Sequence, residues 1–199
     1  MYKTHQPRIQ KYALASADNM SRVIYMVSLS IQQPWYAVGN QLNDVDSLGL
    51  KSRYAWGMKA QTIAHVQKHK QELFLALHEY KSGEIDLPEL LVNFASVSGL
   101  GMVKAGFVLQ LCLGEVGCLD VHNLRMYNVN PNMFKFGKAA TYATKRKKAE
   151  LYIAMCEKLG GSPVLWDNWC QALATNPRCR DRFTSKHHVS RVHCEYLGV

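Results

Sequence analysis

The chain has 199 residues, enough to bury a hydrophobic core of its own. Its 24 Lys and Arg outnumber its 15 Asp and Glu, which gives a formal net charge of +9. This excess favours a polyanionic partner, nucleic acid first, because neutralised phosphates release counterions; a protein that is merely basic is the alternative. The longest apolar stretch, residues 23–31, is too short to cross a bilayer, which excludes a membrane-spanning protein.

The N-terminal quarter mixes polar and apolar segments. Residues 1–19 are predicted to form a basic arm that leads into a short helix. Residues 20–42 carry apolar side chains at helical spacing and are predicted to form a helix that breaks or kinks near Pro34. A strand is the competing assignment for residues 23–29, and residues 43–49 are predicted to form a loop.

The rest of the chain shows helical periodicity with clear end signals. Residues 59–81 form a long predicted helix that Gly83 ends, and Asp86 starts another over residues 88–97. Further helices are predicted over residues 102–113, from Asp120 onward, and over residues 137–159, 163–174 and 185–197. We therefore expect an all-α helical bundle, residues 1–199 forming a single domain or two closely packed lobes.

Two of these helices meet at Gly99-Leu100-Gly101, inside a hairpin motif over residues 88–125. A tight turn there exposes backbone N–H groups at the start of the second helix, where the helix dipole also favours an anion. Gly99 and Gly101 are therefore candidate contacts to a DNA phosphate. An ordinary turn between two helices is the alternative.

Asp120 follows Gly99 by 21 residues and lies in the run Leu119-Asp120-Val121-His122. Hairpin, apolar helix and aspartate in this order and spacing resemble the helix-hairpin-helix DNA glycosylases, and the run around Asp120 is especially similar to the 8-oxoguanine glycosylase branch. The resemblance covers residues 98–125. It implies a glycosylase-like helical fold that binds DNA and acts on a base swung out of the duplex.

By this resemblance Asp120 is the catalytic carboxylate. His122 lies beside it and is a second candidate catalytic residue, placed to donate to a phosphate or to position a water. Breaking an N-glycosidic bond builds positive charge on the sugar, and a fixed carboxylate near C1′ stabilises that charge or orients an attacking water. Backbone N–H groups at a helix start would keep Asp120 ionised, although a plain helix N-cap is the alternative role. Asn123 and Arg125 follow closely and are candidate DNA contacts.

The chain departs from the family at the residue that serves as nucleophile in bifunctional relatives. Those relatives carry a lysine two residues after the second hairpin glycine, where this chain has Val103. Lys104 is adjacent, but one residue rotates a helix by about 100 degrees. We therefore expect water to be the nucleophile and Lys104 to contact a phosphate.

Many relatives also hold an iron-sulfur cluster on four closely spaced cysteines near the C-terminus. Here the last four of the six cysteines are 14, 9 and 15 residues apart, and no His and Cys spacing fits zinc. We expect no cluster and no bound metal or cofactor, although the resemblance is compatible with a monovalent cation at the hairpin. The cysteines are expected to be buried, reduced thiols.

The segment Leu29–Trp35, with the sequence LSIQQPW, is similar to the helix end that relatives place against DNA. Gln32 or Gln33 would fill the gap that an extruded base leaves in the duplex. Trp35 or Tyr36 would stack on a base. A polar helix end with a tryptophan in the core is the alternative.

Basic side chains in the C-terminal third are candidates for contact with the DNA backbone, and a solvated helix face explains them equally well. They are Lys145, Arg146, Lys147, Lys148, Arg178, Arg180, Arg182 and Lys186.

Three functions fit these observations. The first is a monofunctional DNA glycosylase that uses Asp120. The second is a transferase on the same fold, similar to phage proteins that modify thymines in DNA, and the third is a non-catalytic DNA-binding module. In each case we expect a monomer in the cytoplasm of a bacterium or phage-infected cell, associated with the nucleoid and not with a membrane.

Overall fold

The computed structural model describes residues 2–137, 139–177, 179 and 182–199, with side chains from residue 5 onward. Within them the chain forms ten α-helices and no strand, so the all-α prediction is confirmed. The helices are α1 (Tyr2–Ala13), α2 (Ala17–Leu29), α3 (Val38–Leu48), α4 (Gly57–Ser82), α5 (Leu87–Ala95), α6 (Gly101–Leu113), α7 (Val121–Met126), α8 (Tyr142–Lys158), α9 (Gly161–Thr175) and α10 (Lys186–Leu197).

The helix ends follow the signals in the sequence. Gly83 and Gly114 close α4 and α6 in the left-handed conformation, with φ of 83° and 78°. Asp86 caps α5 by accepting a hydrogen bond from the backbone N–H of Glu89. The predicted helices over residues 59–81, 88–97 and 102–113 are confirmed within a few residues, and α4 is bent at His69.

Two predictions for the N-terminal quarter are wrong and one is confirmed. The basic arm is the helix α1, because Ile9 and Ala13 lie one turn apart and are fully buried. The predicted break near Pro34 is confirmed, since α2 and α3 are separated by a bend that contains this residue. The loop over residues 43–49 belongs to α3, and residues 23–29, with the strand as alternative, are helical.

Helix α6 is the buried centre of the molecule and packs against α1, α2 and α5. The Gln110 side chain donates to the carbonyl of Ser162 over 2.8 Å and accepts from the N–H of Cys118 over 3.1 Å. A Cβ at Gly106 would lie 2.6 Å from the ring of Tyr152, so only glycine permits this approach of α8. These contacts therefore fix residues 117–119, the segment that leads to Asp120, against α6 and α8.

All six cysteines are buried in the interior of the protein. Burial raises the pKa of the Cys112 thiol to about 12. In the described part of the chain, no helix combines the length and the apolar character needed to cross a bilayer.

Candidate active site

The hairpin turn between α5 and α6 is held by the first turn of α4. Gly99 and Gly101 both lie in the left-handed region, with φ of 82° and 69°. A Cβ on Gly99 would lie 2.4 Å from the carbonyl oxygen of Met58, whereas a Cβ on Gly101 would meet open space. The Thr62 hydroxyl donates to the carbonyl of Ser98 over 2.9 Å. Gly99 is therefore needed for close packing, and Gly101 only for its backbone conformation.

Both carboxylate oxygens of Asp120 are held by N–H donors. Oδ1 accepts from the backbone N–H groups of His122 and Asn123, over 3.0 and 3.3 Å, so Asp120 is the N-cap of α7. Oδ2 accepts from the indole N–H of Trp169 in α9 over 3.0 Å. The cap uses one oxygen only, so it leaves a second role open for this side chain.

An open cavity of about 940 Å³ faces Asp120. The sequence-predicted residues that line it are Gln32, Gln33, Trp35, Lys104, Asp120, His122 and Arg125. They come from the bend after α2, the first turns of α6 and the segment that begins α7. Folding thus brings together residues up to 93 positions apart in the chain.

Gln32 and Gln33 differ in exposure and in side-chain hydrogen bonding. Gln32 is exposed and holds a left-handed φ of 56°, which is uncommon for a residue other than glycine. The Gln33 side chain accepts a hydrogen bond from Gln41 over 3.3 Å. Gln32 is therefore the more exposed of the two, and the insertion of either side chain into a duplex remains a prediction.

Lys104 lines the cavity. Its ammonium donates to the hydroxyl of Ser30 over 3.3 Å and lies 5.9 Å from the ring centroid of Phe107. The cavity therefore holds a cation in addition to the Asp120 carboxylate. The expected contact of Lys104 with a phosphate remains a prediction.

Two predicted DNA contacts are buried inside the protein. The Asn123 side chain is fully buried and donates to the carbonyls of Cys118 and Leu165 over 2.7 and 3.0 Å. Trp35 is 2% exposed and stacks on His193 with ring centroids 4.4 Å apart. A DNA contact of Asn123 and base stacking by Trp35 are therefore wrong; Trp35 is the core tryptophan of the alternative.

The basic run on α8 is tied to the protein. Arg146 pairs with Asp86 and Glu150, and the hydrogen bond with Asp86 raises the pKa of the guanidinium. The Lys145 ammonium lies 3.4 Å from the hydroxyl of Ser96, next to the hairpin. Lys145 therefore lies beside the end of α5 that leads into the hairpin, whereas Arg146 is engaged by two carboxylates.

Other basic residues of that group have different surroundings. Lys148 donates to the carbonyl of Met133 over 2.6 Å, and Lys147 is exposed. The Arg182 guanidinium lies 5.4 Å from the ring centroid of Tyr36, which is exposed, and Lys186 pairs with Asp167. Arg178 and Arg180 lie outside the described residues.

Trp169 is the site residue that sequence reasoning missed. Its helical spacing from Trp166 predicted a core position, and both side chains are buried. The indole of Trp169 nevertheless lines the cavity and orients Asp120. A tryptophan supplies an apolar ring for the cavity wall and an N–H donor for the carboxylate. Only the tertiary fold shows which carboxylate accepts that hydrogen bond.

His193 is fully buried, and its ring packs against the rings of Trp35 and Trp169. Burial lowers the pKa of its imidazole to about 3, so the ring is neutral at physiological pH. Among the described residues no group of three or more His, Cys, Asp or Glu is arranged to hold a metal ion.

Comparison with family models, curated proteins and solved structures finds no match to this chain. Function is therefore inferred from the cavity and its side chains.

Proposed function

We propose that this protein binds DNA and hydrolyses the N-glycosidic bond of a nucleotide swung out of the duplex, with Asp120 as the essential carboxylate. The observation that carries the proposal is the fixed Asp120 carboxylate in the wall of an open cavity, held by three N–H donors. A buried or outward-facing Asp120 would not support such a role.

The chemistry requires a negative charge close to the sugar. When the bond between C1′ and the base nitrogen breaks, its electron pair leaves with the base and C1′ becomes electron-poor. The Asp120 carboxylate stabilises that charge without reorganising, because its donors already fix it. The oxygen of a water then bonds to C1′, and His122 at the same cavity takes the proton that the water loses.

The hairpin supports DNA binding at this cavity. Lys104 follows Gly101 by three residues in α6, so a helix rise of 1.5 Å per residue puts them about 5 Å apart along the axis. A phosphate bound at the N-terminus of α6 would therefore hold the strand near the cavity mouth. Gln32 would fill the gap that the extruded nucleotide leaves.

Group transfer onto the extruded base is the second candidate, and the size of the cavity favours it. At about 940 Å³ the cavity lies near the upper end of the range for small-molecule sites. This volume leaves room for another reactant beside the base. In that case Asp120 would orient the acceptor base or the donor group.

The test compares two substitutions of an N-cap aspartate. Asp120→Asn keeps a capping oxygen but removes the charge and places an NH₂ group opposite the Trp169 indole. Asp86→Asn makes the same change at the N-cap of α5 and also removes a charge partner of Arg146, so the two rates are compared at saturating DNA. DNA with damaged, mismatched or 5-hydroxymethyl pyrimidines is incubated with each, and alkali-labile abasic sites are counted. We expect Asp120→Asn to lower the rate about 100-fold or more and Asp86→Asn to leave it nearly unchanged.

Mass spectrometry of the nucleosides from the same reactions separates the candidates. Released base with an abasic site supports hydrolysis, whereas a heavier base in an intact strand supports group transfer. DNA binding with neither product, unaltered in Asp120→Asn, would mean that the protein is a non-catalytic DNA-binding module and would overturn the proposal.

A further inference from the structure

Half-exposed apolar side chains lie outside the cavity, between the end of α3 and the start of α4. They are Leu48, Leu50, Trp56 and Met58, and Trp56 is 55% exposed. Exposed tryptophan is uncommon on monomeric proteins, and a cluster of exposed apolar side chains marks a contact surface. We call these four residues the Trp56 surface.

The Trp56 surface adjoins the hairpin turn. The carbonyl of Met58 is the atom that a Cβ on Gly99 would strike, and Thr62, one turn later, bonds to the carbonyl of Ser98. A strand bound at the hairpin would therefore have Trp56 and Met58 beside it. The cavity is lined by Val103 and Lys104 of α6 and by none of the four residues of the Trp56 surface.

The charge of the surrounding segment selects the partner. Residues 47–71 contain five Lys and Arg and no Asp or Glu. Lys70 pairs with Asp18 and Lys59 is buried, which leaves three exposed cations in the segment. The ammonium of Lys59 lies 5.4 Å from the ring centroid of Trp56, and the exposed Lys51 and Arg53 precede the tryptophan. A flat aromatic ring among cations matches a nucleic-acid strand, which offers base faces and phosphates together.

We infer that Trp56 stacks on an unpaired base of the DNA strand that the hairpin holds, while the exposed Lys51 and Arg53 that precede it contact the strand's phosphates. This inference rests on the DNA-binding part of the proposed function and is independent of the reaction at Asp120. It adds a stacking contact for single-stranded or opened DNA beside the cavity.

Tryptophan fluorescence tests the contact directly. The chain has four tryptophans, and Trp35 and Trp169 line the cavity while Trp166 is fully buried. The emission of Trp56 is therefore the difference between the unaltered protein and Trp56→Phe under the same acrylamide quenching. The protein is titrated with a 16-nucleotide thymidine oligomer, a blunt duplex, and that duplex with a thymidine overhang. We expect the oligomer and the overhang to quench this emission and to shield it from acrylamide, and the blunt duplex to do so less.

Affinity measurements with variants give the second readout. We expect Trp56→Ala to weaken binding of the overhang duplex about tenfold, and Trp56→Phe to weaken it less because a ring remains. Leu75→Ala is the matched control, since Leu75 is 57% exposed on α4 beyond the bend at His69. Equal affinity of Trp56→Ala and the unaltered protein, with both folded by circular dichroism, would overturn the inference.

Two further outcomes separate this inference from its competitors. If acrylamide loses access to Trp56 as protein concentration rises without DNA, a second copy of the chain covers the surface and the inference is wrong. At saturating DNA, Trp56→Ala should keep the rate of base release, whereas Asp120→Asn should keep affinity and lose the rate. Shielding of Trp56 by DNA without any base reaction would support the surface and refute the proposed reaction.

Discussion

The indole N–H of Trp169 donates to Oδ2 of Asp120 over 3.0 Å, although 49 residues separate them in the chain. The other oxygen of the carboxylate is fixed by the first turn of α7. The direction of the Asp120 charge is thus set jointly by α7 and α9. Under the proposed function, Trp169 is a positioning residue.

Replacing Trp169 by phenylalanine should separate positioning from packing. Trp169→Phe keeps an aromatic ring but removes the donor to Oδ2, so the carboxylate gains freedom to rotate. We expect kcat for base release to fall about tenfold with KM nearly unchanged, because substrate binding does not use this hydrogen bond. Single-turnover and steady-state kinetics on the same DNA measure both constants.

Trp166→Phe is the matched control for that experiment. Trp166 is also buried in α9, but its indole N–H lies 3.3 Å from the hydroxyl of Ser190. Both variants should lose about 1–2 kcal/mol of unfolding free energy, since each loses one buried hydrogen bond and some packing. Equal kinetic losses in the two would show that Trp169 acts only through stability.

The two hairpin glycines should respond differently to alanine. Both adopt a left-handed φ, which costs an alanine about 1 kcal/mol. Gly99→Ala also drives a Cβ against the carbonyl of Met58, and we expect about 1–3 kcal/mol of further loss. Urea unfolding of Gly99→Ala and Gly101→Ala measures the difference; equal losses would mean that α4 does not brace the turn.

Asn123 should matter for folding and not for DNA contact. Asn123→Ala leaves the buried carbonyls of Cys118 and Leu165 without this donor, and we expect a loss of about 2–3 kcal/mol in unfolding free energy. Asn132→Ala, at an exposed asparagine, should stay within about 0.5 kcal/mol of the unaltered protein. Under conditions where Asn123→Ala is folded, its DNA affinity should match that of the unaltered protein.

Acid should destabilise the protein through His193. Burial lowers the pKa of this imidazole from 6.5 to about 3. Between these pH values the His193 imidazole is protonated in the unfolded chain and neutral in the folded chain. The unfolding free energy therefore falls by about 1.4 kcal/mol per pH unit on acidification. Above pH 6.5 the imidazole is neutral in both states, so this loss of unfolding free energy is absent.

Urea unfolding at pH 7, 6 and 5 checks this dependence. His193→Gln should show a flatter decline than the unaltered protein, by about 1.4 kcal/mol per pH unit. His78→Gln, at an exposed histidine on α4, should keep the original slope. An unchanged slope in His193→Gln would show that other groups cause the acid sensitivity.

Helices with strong end signals were predictable from the sequence, and those without them were not. Asp86, Gly83 and Gly114 mark ends that the structure confirms. Helix α3 was missed because its second half is polar. Its buried residues Val38 and Val45 do lie at helical spacing, which was the signal available.

The parts of the candidate site that depend on local sequence were predictable. Asp120 stands in a recognisable run, and its capping geometry follows from its position before α7. Trp169 was not predictable, because its contact depends on how α9 packs beside α7. Asn123 was misassigned because proximity in sequence to Asp120 says nothing about which way a helical side chain faces.

Because all six cysteines are buried, the folded protein exposes few thiols to reagents. A thiol-specific dye added to the folded chain should therefore label slowly, at a rate that reports how often the interior opens. One cysteine introduced on the surface would, by contrast, carry a probe with little background. Distances to a labelled oligonucleotide can therefore be measured without replacing any of the natural cysteines.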